Sequence, residues 1–197
     1  MESSSAALQK FYQTIWPDIS EDQLSVIMSK HIFQTIRKGE KLLRFGDVCD
    51  WSALVTRGVM RYYHAVEGKE HVGQIFFPGM VVSDYVSYVQ GTSSRIFIDA
   101  VQESEIAILK KQEAEEFKRT VPGYLEMVIK YLDIIYISNF ERYSSLLLDS
   151  AEVRYLKLLK NRPEVVRQVP NYMIASFLGM TPEALSRIRN KIAHSGA

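Results

Sequence analysis

The chain has 197 residues, 47% of them hydrophobic, so it can form one large domain or two small ones with a packed core and is not a disordered protein. Its 24 Lys and Arg residues nearly balance its 23 Asp and Glu residues, which excludes a polycation. Cys49 is the only cysteine, which excludes an internal disulfide and the set of thiolates that an iron–sulfur cluster usually needs.

Signals for export or membrane insertion are missing from the sequence. No apolar run is long enough to span a bilayer, so we expect no membrane partner. The segment 1–10 lacks the basic and apolar regions of a signal peptide. These observations predict a cytoplasmic protein.

Charge is distributed unevenly along the chain. Residues 153–197 contain eight Lys or Arg and two Asp or Glu, a net charge of +6, so the remainder has a net charge of −5. A basic segment attached to an acidic one is typical of a protein that binds nucleic acid through the basic part.

Residues 5–30 have helical periodicity, and the pattern changes to short β-type segments after them. These segments are rich in β-branched and aromatic residues and are separated by glycine-containing turns. Many short strands with evenly spaced turns predict a small barrel, roll or sandwich. The predicted strands are 33–37, 41–44, 51–56, 59–64, 71–77, 96–100 and 105–109.

A long helical pattern over 122–148 contains a heptad repeat, which predicts a dimerisation helix. The alternative is a helix that packs only against its own roll. A polar residue at a seam position suits the setting of register in a dimer, and Asn139 has this position. The first heptad set is Leu125, Leu132, Asn139 and Leu146, and the second is Val128, Ile135 and Arg142. The predicted dimerisation residues are Leu125, Val128, Leu132, Ile135 and Asn139.

Two short helices joined by a tight turn are predicted in the last thirty residues. Ile174, Phe177 and Leu178 give the first helix a buried stripe, and Gly179 ends it, because glycine adopts a left-handed conformation without a Cβ penalty. Thr181 is a suitable N-cap for the second helix.

The second helix is predicted to have an apolar inner face and a basic outer face. Pro182 takes its first position, and Glu183 lies in its first turn, where the helix dipole favours an anion. Leu185 and Ile188 face inward, and the outward residues are Ser186, Arg187, Arg189 and Lys191. This pattern predicts a helix-turn-helix for duplex DNA, although two helices and a glycine turn also occur in all-α domains that bind no nucleic acid.

The order of β-roll, long helix and helix-turn-helix resembles the cyclic-AMP receptor/fumarate–nitrate regulator (Crp/Fnr) superfamily of bacterial transcription factors over essentially the whole chain. The motifs that carry the resemblance are KGEKL at 38–42, Gly46-Asp47, LVTRGVMRY at 54–62, Phe77-Pro78-Gly79, AEVRYL at 151–156, IASFLGMT at 174–181 and LSRIR at 185–189.

The resemblance implies an α+β fold with three parts. They are an N-terminal cyclic-nucleotide-binding-like β-roll (jelly roll) over 1–120, a long dimerisation helix over 121–149 and a C-terminal helix-turn-helix domain over 150–197. It also implies a homodimer that binds a pseudo-palindromic operator. RNA polymerase and an unidentified small-molecule effector are further candidate partners.

By position, the resemblance assigns base reading to residues at the start of the second helix. Arg187 can donate twice to guanine, Glu183 can accept from the amino group of cytosine, and Ser186 can do either. Arg189 and Lys191 would contact phosphates, which position a protein without specifying sequence. The predicted DNA-binding set is Thr181, Pro182, Glu183, Ser186, Arg187, Arg189 and Lys191.

The chain departs from the nucleotide-binding members of the family. The glycine–glutamate pair that holds the ribose is absent, and Arg95 lies one place away from the register expected of the phosphate-binding arginine. Asp84 could replace the glutamate. We therefore assign no cofactor and disfavour a cyclic nucleotide, and the candidate effector site is Val82, Ser83, Asp84, Ser94 and Arg95.

Metal and catalytic sites are not predicted. His31, His64, His71 and His194 lack the spacing of metal ligands, and no nucleophile, base and orienting group can be assembled from the sequence. The sequence therefore predicts a non-enzymatic transcription regulator. The alternative is a ligand-binding regulatory module that acts through a protein partner without specific DNA binding.

Overall fold

A computed structural model describes residues 3–195. Within this range the chain forms eight strands and nine helices. The strands are β1 (Ile32–Ile36), β2 (Lys41–Leu43), β3 (Trp51–Arg57), β4 (Met60–Val66), β5 (Lys69–Phe76), β6 (Val81–Val82), β7 (Phe97–Ala100) and β8 (Ser104–Lys110). The helices are α1 (Ser4–Ile15), α2 (Glu21–Ser29), α3 (Tyr85–Gln90), α4 (Lys111–Thr120), α5 (Tyr124–Leu148), α6 (Ala151–Asn161), α7 (Pro163–Gln168), α8 (Asn171–Phe177) and α9 (Pro182–Ser195).

The strands form two four-stranded antiparallel sheets that pack face to face as a β-roll. The first sheet has the order β1-β8-β3-β6 and the second has the order β2-β7-β4-β5. Alternate residues of each strand point between the sheets, as the two-residue period of a strand requires. The core between them includes Ile36, Leu43, Val55, Met60, Val82, Ile98 and Ile106. The predicted α+β class with an N-terminal roll is confirmed.

All seven strands predicted from the sequence are present, each with ends within two residues of the prediction. Two elements between 80 and 91 were not predicted. Strand β6 has two residues and helix α3 has six, so neither is long enough to show a period. The start of α3 is fixed by Asp84, whose Oδ1 accepts a hydrogen bond from the backbone N–H of Ser87 at 3.2 Å.

Helices cover the outer face of the first sheet. Leu8 and Tyr12 of α1, Ile27 of α2 and Phe117 of α4 pack with Leu54 of β3 in one buried cluster. The first turn of α5 joins this cluster through Tyr124 and Met127. The beginning of the long helix is therefore anchored on the roll.

The outer face of the second sheet is covered by the C-terminal helices. Val59, Tyr63 and Val72 belong to a buried cluster that also contains Met173 and Ile174 of α8. Further members from the C-terminal helices are Tyr155, Leu158, Val165, Val169, Ala175, Phe177, Leu178 and Leu185. One apolar core therefore joins the roll to the last four helices.

No helix among the described residues combines the length and the hydropathy that crossing a membrane requires.

Glycine is required at position 58 for two separate reasons, because Gly58 has φ +87° and a Cβ atom there would lie 2.4 Å from the carbonyl oxygen of Glu103. We expect Gly58→Ala to lower the free energy of unfolding by about 2–5 kcal/mol, through left-handed strain and overpacking. The matched control is Gly46→Ala. Gly46 has φ +93° and open space around it, so only the strain of about 1–2 kcal/mol is expected. Urea denaturation measures both losses, and equal losses would contradict the packing argument.

Candidate nucleic-acid interface

The turn between α8 and α9 is a Schellman motif. Gly179 has φ +64°, its N–H donates to the carbonyl of Ser176 at 3.0 Å, and the N–H of Met180 donates to the carbonyl of Ala175 at 3.0 Å. Ile174, Phe177 and the turn residue Leu178 are buried, as predicted from their spacing. The sequence signal for the helix-turn-helix is therefore confirmed as local structure.

The beginning of α9 is built as the sequence predicts. The hydroxyl of Thr181 accepts a hydrogen bond from the N–H of Ala184 at 3.2 Å, and Pro182 is the first helical residue. A hydrogen bond from its own backbone N–H lowers the pKa of Glu183, and Thr181 and the charge of Arg187 lower it further. The carboxylate in the first turn of α9 therefore stays ionised at a lower pH than that of an ordinary glutamate.

One face of α9 is open to solvent. Leu185 is buried and Ile188 half-buried, whereas Thr181, Pro182, Glu183, Ser186 and Arg187 are exposed. A shallow groove of about 300 Å³ runs along this face and is lined by Ala184, Arg187, Ile188 and Lys191. Arg187 thus lines this groove, and Glu183 and Ser186, to which the resemblance also assigned base reading, are exposed beside it on α9.

Arg189 and Lys191 hold α9 against neighbouring helices. The half-buried Arg189 donates to Oδ1 of Asn171 at the start of α8. Nζ of Lys191 lies 2.7 Å from Oε2 of Glu152 on α6. These two predicted phosphate contacts thus also take part in ion pairing or hydrogen bonding within the protein.

The five candidate effector residues lie around α3, and four of them have structural roles. Val82 is a core residue, Ser83 donates to the carbonyl of Trp51 at 3.0 Å, and Asp84 caps α3. The buried hydroxyl of Ser94 donates to the carbonyl of Ile96. Arg95 is exposed. These side chains are not arranged as a charged cradle for a cyclic phosphate, which needs paired and buried donors.

The predicted dimerisation residues are divided between two environments on α5. Leu125 and Asn139 are exposed, whereas Val128, Leu132 and Ile135 are half-buried, with Val128 packed on the cluster beneath α1 and α4. A second set of apolar residues is more exposed, at 50–71%. Of these, Ile129, Tyr136, Phe140, Tyr143 and Leu147 share one face of α5 by their spacing, whereas Ile134 and Ile137 lie outside that face. The helix is confirmed, and the dimer register stays a prediction.

Residues that sequence reasoning did not connect hold the helix-turn-helix in place. The hydroxyl of Ser176 accepts from the N–H of Val72 at 2.9 Å and donates to the carbonyl of Glu70 at 3.3 Å, so α8 is attached to the edge strand β5. Arg162 donates to the carbonyl of Ile75 at 2.8 Å. No local sequence signal identifies these pairs, because the partners are about ninety residues or more apart.

No protein-family model and no curated protein matches the sequence. Comparison with solved structures gives matches over most of the chain. FixK2 from Bradyrhizobium japonicum has a TM-score of 0.69 and 19% identity, with 84% of this chain and 86% of that chain covered. The c-di-GMP responsive global regulator CLP from Xanthomonas campestris has a TM-score of 0.70 and 16% identity, with coverage of 90% and 93%.

A transcriptional regulator of the Crp/Fnr family from Eubacterium rectale has a TM-score of 0.67 and 17% identity, with 94% of this chain and 88% of that chain covered. The chain has the Crp/Fnr fold. The predicted resemblance is therefore confirmed at the level of fold, including the roll, the long helix and the C-terminal helices in that order.

The N-cap at Thr181 gives a test of how α9 begins. We expect Thr181→Ala to lower the free energy of unfolding by about 0.5–2 kcal/mol, because the N–H of Ala184 loses its acceptor. Thr181→Ser keeps a hydroxyl acceptor and should remain close to the original protein. Both are measured by urea denaturation, and an equal loss in the serine variant would show that the methyl group rather than the cap matters.

Proposed function

We propose that the protein is a DNA-binding transcription regulator of the Crp/Fnr type that acts as a homodimer on a pseudo-palindromic operator. The observation that carries the proposal is the exposed face at the start of α9, where Glu183, Ser186 and Arg187 project from a capped helix after a Schellman turn. The Crp/Fnr fold supports it, because that fold is found in a structure described as a transcriptional regulator.

The proposed reading chemistry follows from the three side chains. Arg187 offers the two parallel donors that match O6 and N7 of guanine in the major groove, Glu183 accepts from the amino group of cytosine, and Ser186 either donates or accepts. Pro182 offers no side-chain donor, so it contributes shape only. Thr181 caps α9 and would lie close to the DNA backbone. Arg189 and Lys191 provide cations for the phosphates.

The proposed dimer uses the exposed apolar face of α5. Ile129, Tyr136 and Tyr143 follow one another at intervals of seven residues, and so do Phe140 and Leu147. A heptad repeat of this kind fits a second copy of the same helix, since two helices supercoil so that such residues keep facing each other. Leu125 and Leu132 flank this face, Val128 packs on the chain's own roll, and Ile135 is half-buried.

The proposed effector is an unidentified small molecule sensed by the roll rather than cyclic AMP. The residues around α3 are occupied by structural hydrogen bonds, and the space between the sheets is filled by side chains such as Met60, Phe76 and Ile98. We further propose that this regulator acts in the cytoplasm and is not an enzyme. Its candidate protein partner is RNA polymerase.

The alternative function is a regulatory module that acts through a protein partner. The two differ in their response to salt, because phosphate contacts make the DNA affinity fall steeply as salt concentration rises. Selection of duplexes from a random library, followed by fluorescence anisotropy at several salt concentrations, separates them. Failure to enrich any sequence would overturn the DNA-binding proposal.

Arg187→Ala tests the base readout. On the selected duplex we expect a loss of about 1–3 kcal/mol in binding free energy and a relaxed preference at one base pair, because the bidentate contact to guanine disappears. Arg119→Ala is the matched control, since Arg119 is an exposed cation on α4. Anisotropy titrations measure both variants, and an Arg187→Ala protein with unchanged affinity and preference would exclude the assigned role.

Phe140→Asp tests the dimer face. We expect it to convert the dimer to a monomer, because a carboxylate cannot be buried in the apolar seam without a partner. Ser138→Asp introduces the same charge at an exposed position of α5 outside the apolar set and should leave the dimer intact. Analytical ultracentrifugation gives the mass of each, and a dimeric Phe140→Asp protein would rule out this face.

A further inference from the structure

Two arginines converge on the carboxyl end of α8, from opposite sides of the junction between α5 and α6. Arg142 lies on α5, before the junction residues Asp149 and Ser150. Its Nη2 donates to the carbonyl of Phe177 at 3.1 Å, and its guanidinium lies 4.4 Å from the centre of the Phe177 ring. The long helix α5 therefore contacts α8 directly, although α6 and α7 lie between them in the chain.

Arg154 makes the matching contacts from α6. Its Nε donates to the carbonyl of Leu178 at 2.8 Å and its Nη1 to the carbonyl of Asp149 at 2.7 Å. Its Nη2 lies 3.4 Å from the carbonyl of Gly179. Three successive carbonyls, from Phe177 to Gly179, thus face two cations. Cations suit this place, because the last carbonyls of a helix lack partners within the helix and carry partial negative charge.

A third contact links α5 to the same turn by packing. A Cβ atom at Gly179 would lie 3.1 Å from Cδ2 of Leu146, so the end of α5 approaches the backbone of the turn closely. Leu146 is one helical turn after Arg142. The turn between α8 and α9 is therefore contacted by α5 at two successive turns of that helix.

Stability alone does not explain an arginine at position 142. Nε of Arg142 is buried and has no hydrogen-bond partner among the described residues, and burial lowers the pKa of its guanidinium. A buried, partly unpaired cation costs free energy, and an apolar side chain of similar volume would often be as stable or more so. What arginine adds is one directed hydrogen bond to the carbonyl of Phe177 and a cation–π contact with its ring.

We propose that Arg142 is a positioning residue that ties α5 to the carboxyl end of α8 and thereby fixes the direction of α9 relative to α5. The consequence for DNA rests on the proposed function. In a dimer joined through α5, this angle sets the separation of the two copies of α9, which must match the repeat of about 34 Å between successive major grooves.

The contact of Arg142 with Phe177, here called the tether, is tested without DNA. The quantity measured is the distance between α5 and α9 within one protomer. Cys49 is buried and is the only cysteine, so Cys49→Ala gives a background in which Ser138→Cys on α5 and Asn190→Cys on α9, both exposed, accept nitroxide labels. Labelled protein is diluted with unlabelled protein, and double electron–electron resonance gives the distance distribution. Arg142→Met and Arg142→Gln are compared with Lys130→Met, which removes an exposed cation from the same helix.

We expect a single narrow distribution in the parent protein and in Lys130→Met, and a broadened or shifted one in both Arg142 variants. Circular dichroism and the thermal midpoint identify the variants that fold. If Arg142→Met does not fold, Arg142→Gln decides, because glutamine removes the guanidinium but keeps a polar side chain beside the carbonyl of Phe177. A folded Arg142 variant with the parent distribution overturns the proposal.

The consequence for DNA is tested with duplexes that the parent protein selects from a random library. Arg142→Met should lose about tenfold or more in affinity for the full palindromic duplex, as expected for a lost hydrogen bond to a charged group, and less than twofold for a duplex with one half-site. Equal losses of affinity on both duplexes would contradict a positioning role of Arg142 and indicate a general loss of DNA binding.

If the parent protein selects no duplex, the proposed function fails. The distance measurement still decides whether Arg142 positions α9.

Discussion

The apolar outer face of the second sheet must be buried, and the position of the C-terminal helices depends on this burial. Val59, Tyr63 and Val72 are covered by α8 and its neighbours, so the roll and the C-terminal helices share one core. Each fully buried side chain of this kind contributes about 1.5–3 kcal/mol. Any change in the orientation of the helix-turn-helix would have to offset the exposure of this surface.

The same docking also pairs some of the backbone groups of β5, which is an edge strand. Ser176 pairs with the N–H of Val72 and the carbonyl of Glu70, and open backbone groups at a sheet edge would otherwise be available to another chain. On this face Arg61 forms two hydrogen bonds with Asp99 and one with Glu70. Burial opposes the charge of Arg61, but these bonds raise its pKa above its ordinary value. The helix-turn-helix thus packs on the outer face of the second sheet, which is apolar at its centre and has the ion pairs of Arg61 beside this apolar area.

Helix α5 connects all the parts, because its different faces have different partners. Its first turns pack in the cluster beneath α1 and α4, and Arg142 and Leu146 contact the turn after α8. Its remaining apolar face, with Phe140 near the centre, is exposed in the single chain. A continuous helix with contacts at both ends therefore links the roll to the helix-turn-helix.

The sequence by itself determined the seven longer strands, the long helix and the helix-turn-helix, together with their order. The short strands, the long helix and the turn at Gly179 follow from local rules of period, capping and glycine conformation, which do not depend on distant residues. The exposed positions of Glu183 and Arg187 could also be predicted, since the buried position of Leu185 sets the orientation of the helix. Only the tertiary structure decided which surface each element covers. The contacts of Arg142 with Phe177 and of Ser176 with Val72 join residues 35 and 104 positions apart, and such pairs are brought together by packing of the whole chain, which no local pattern encodes.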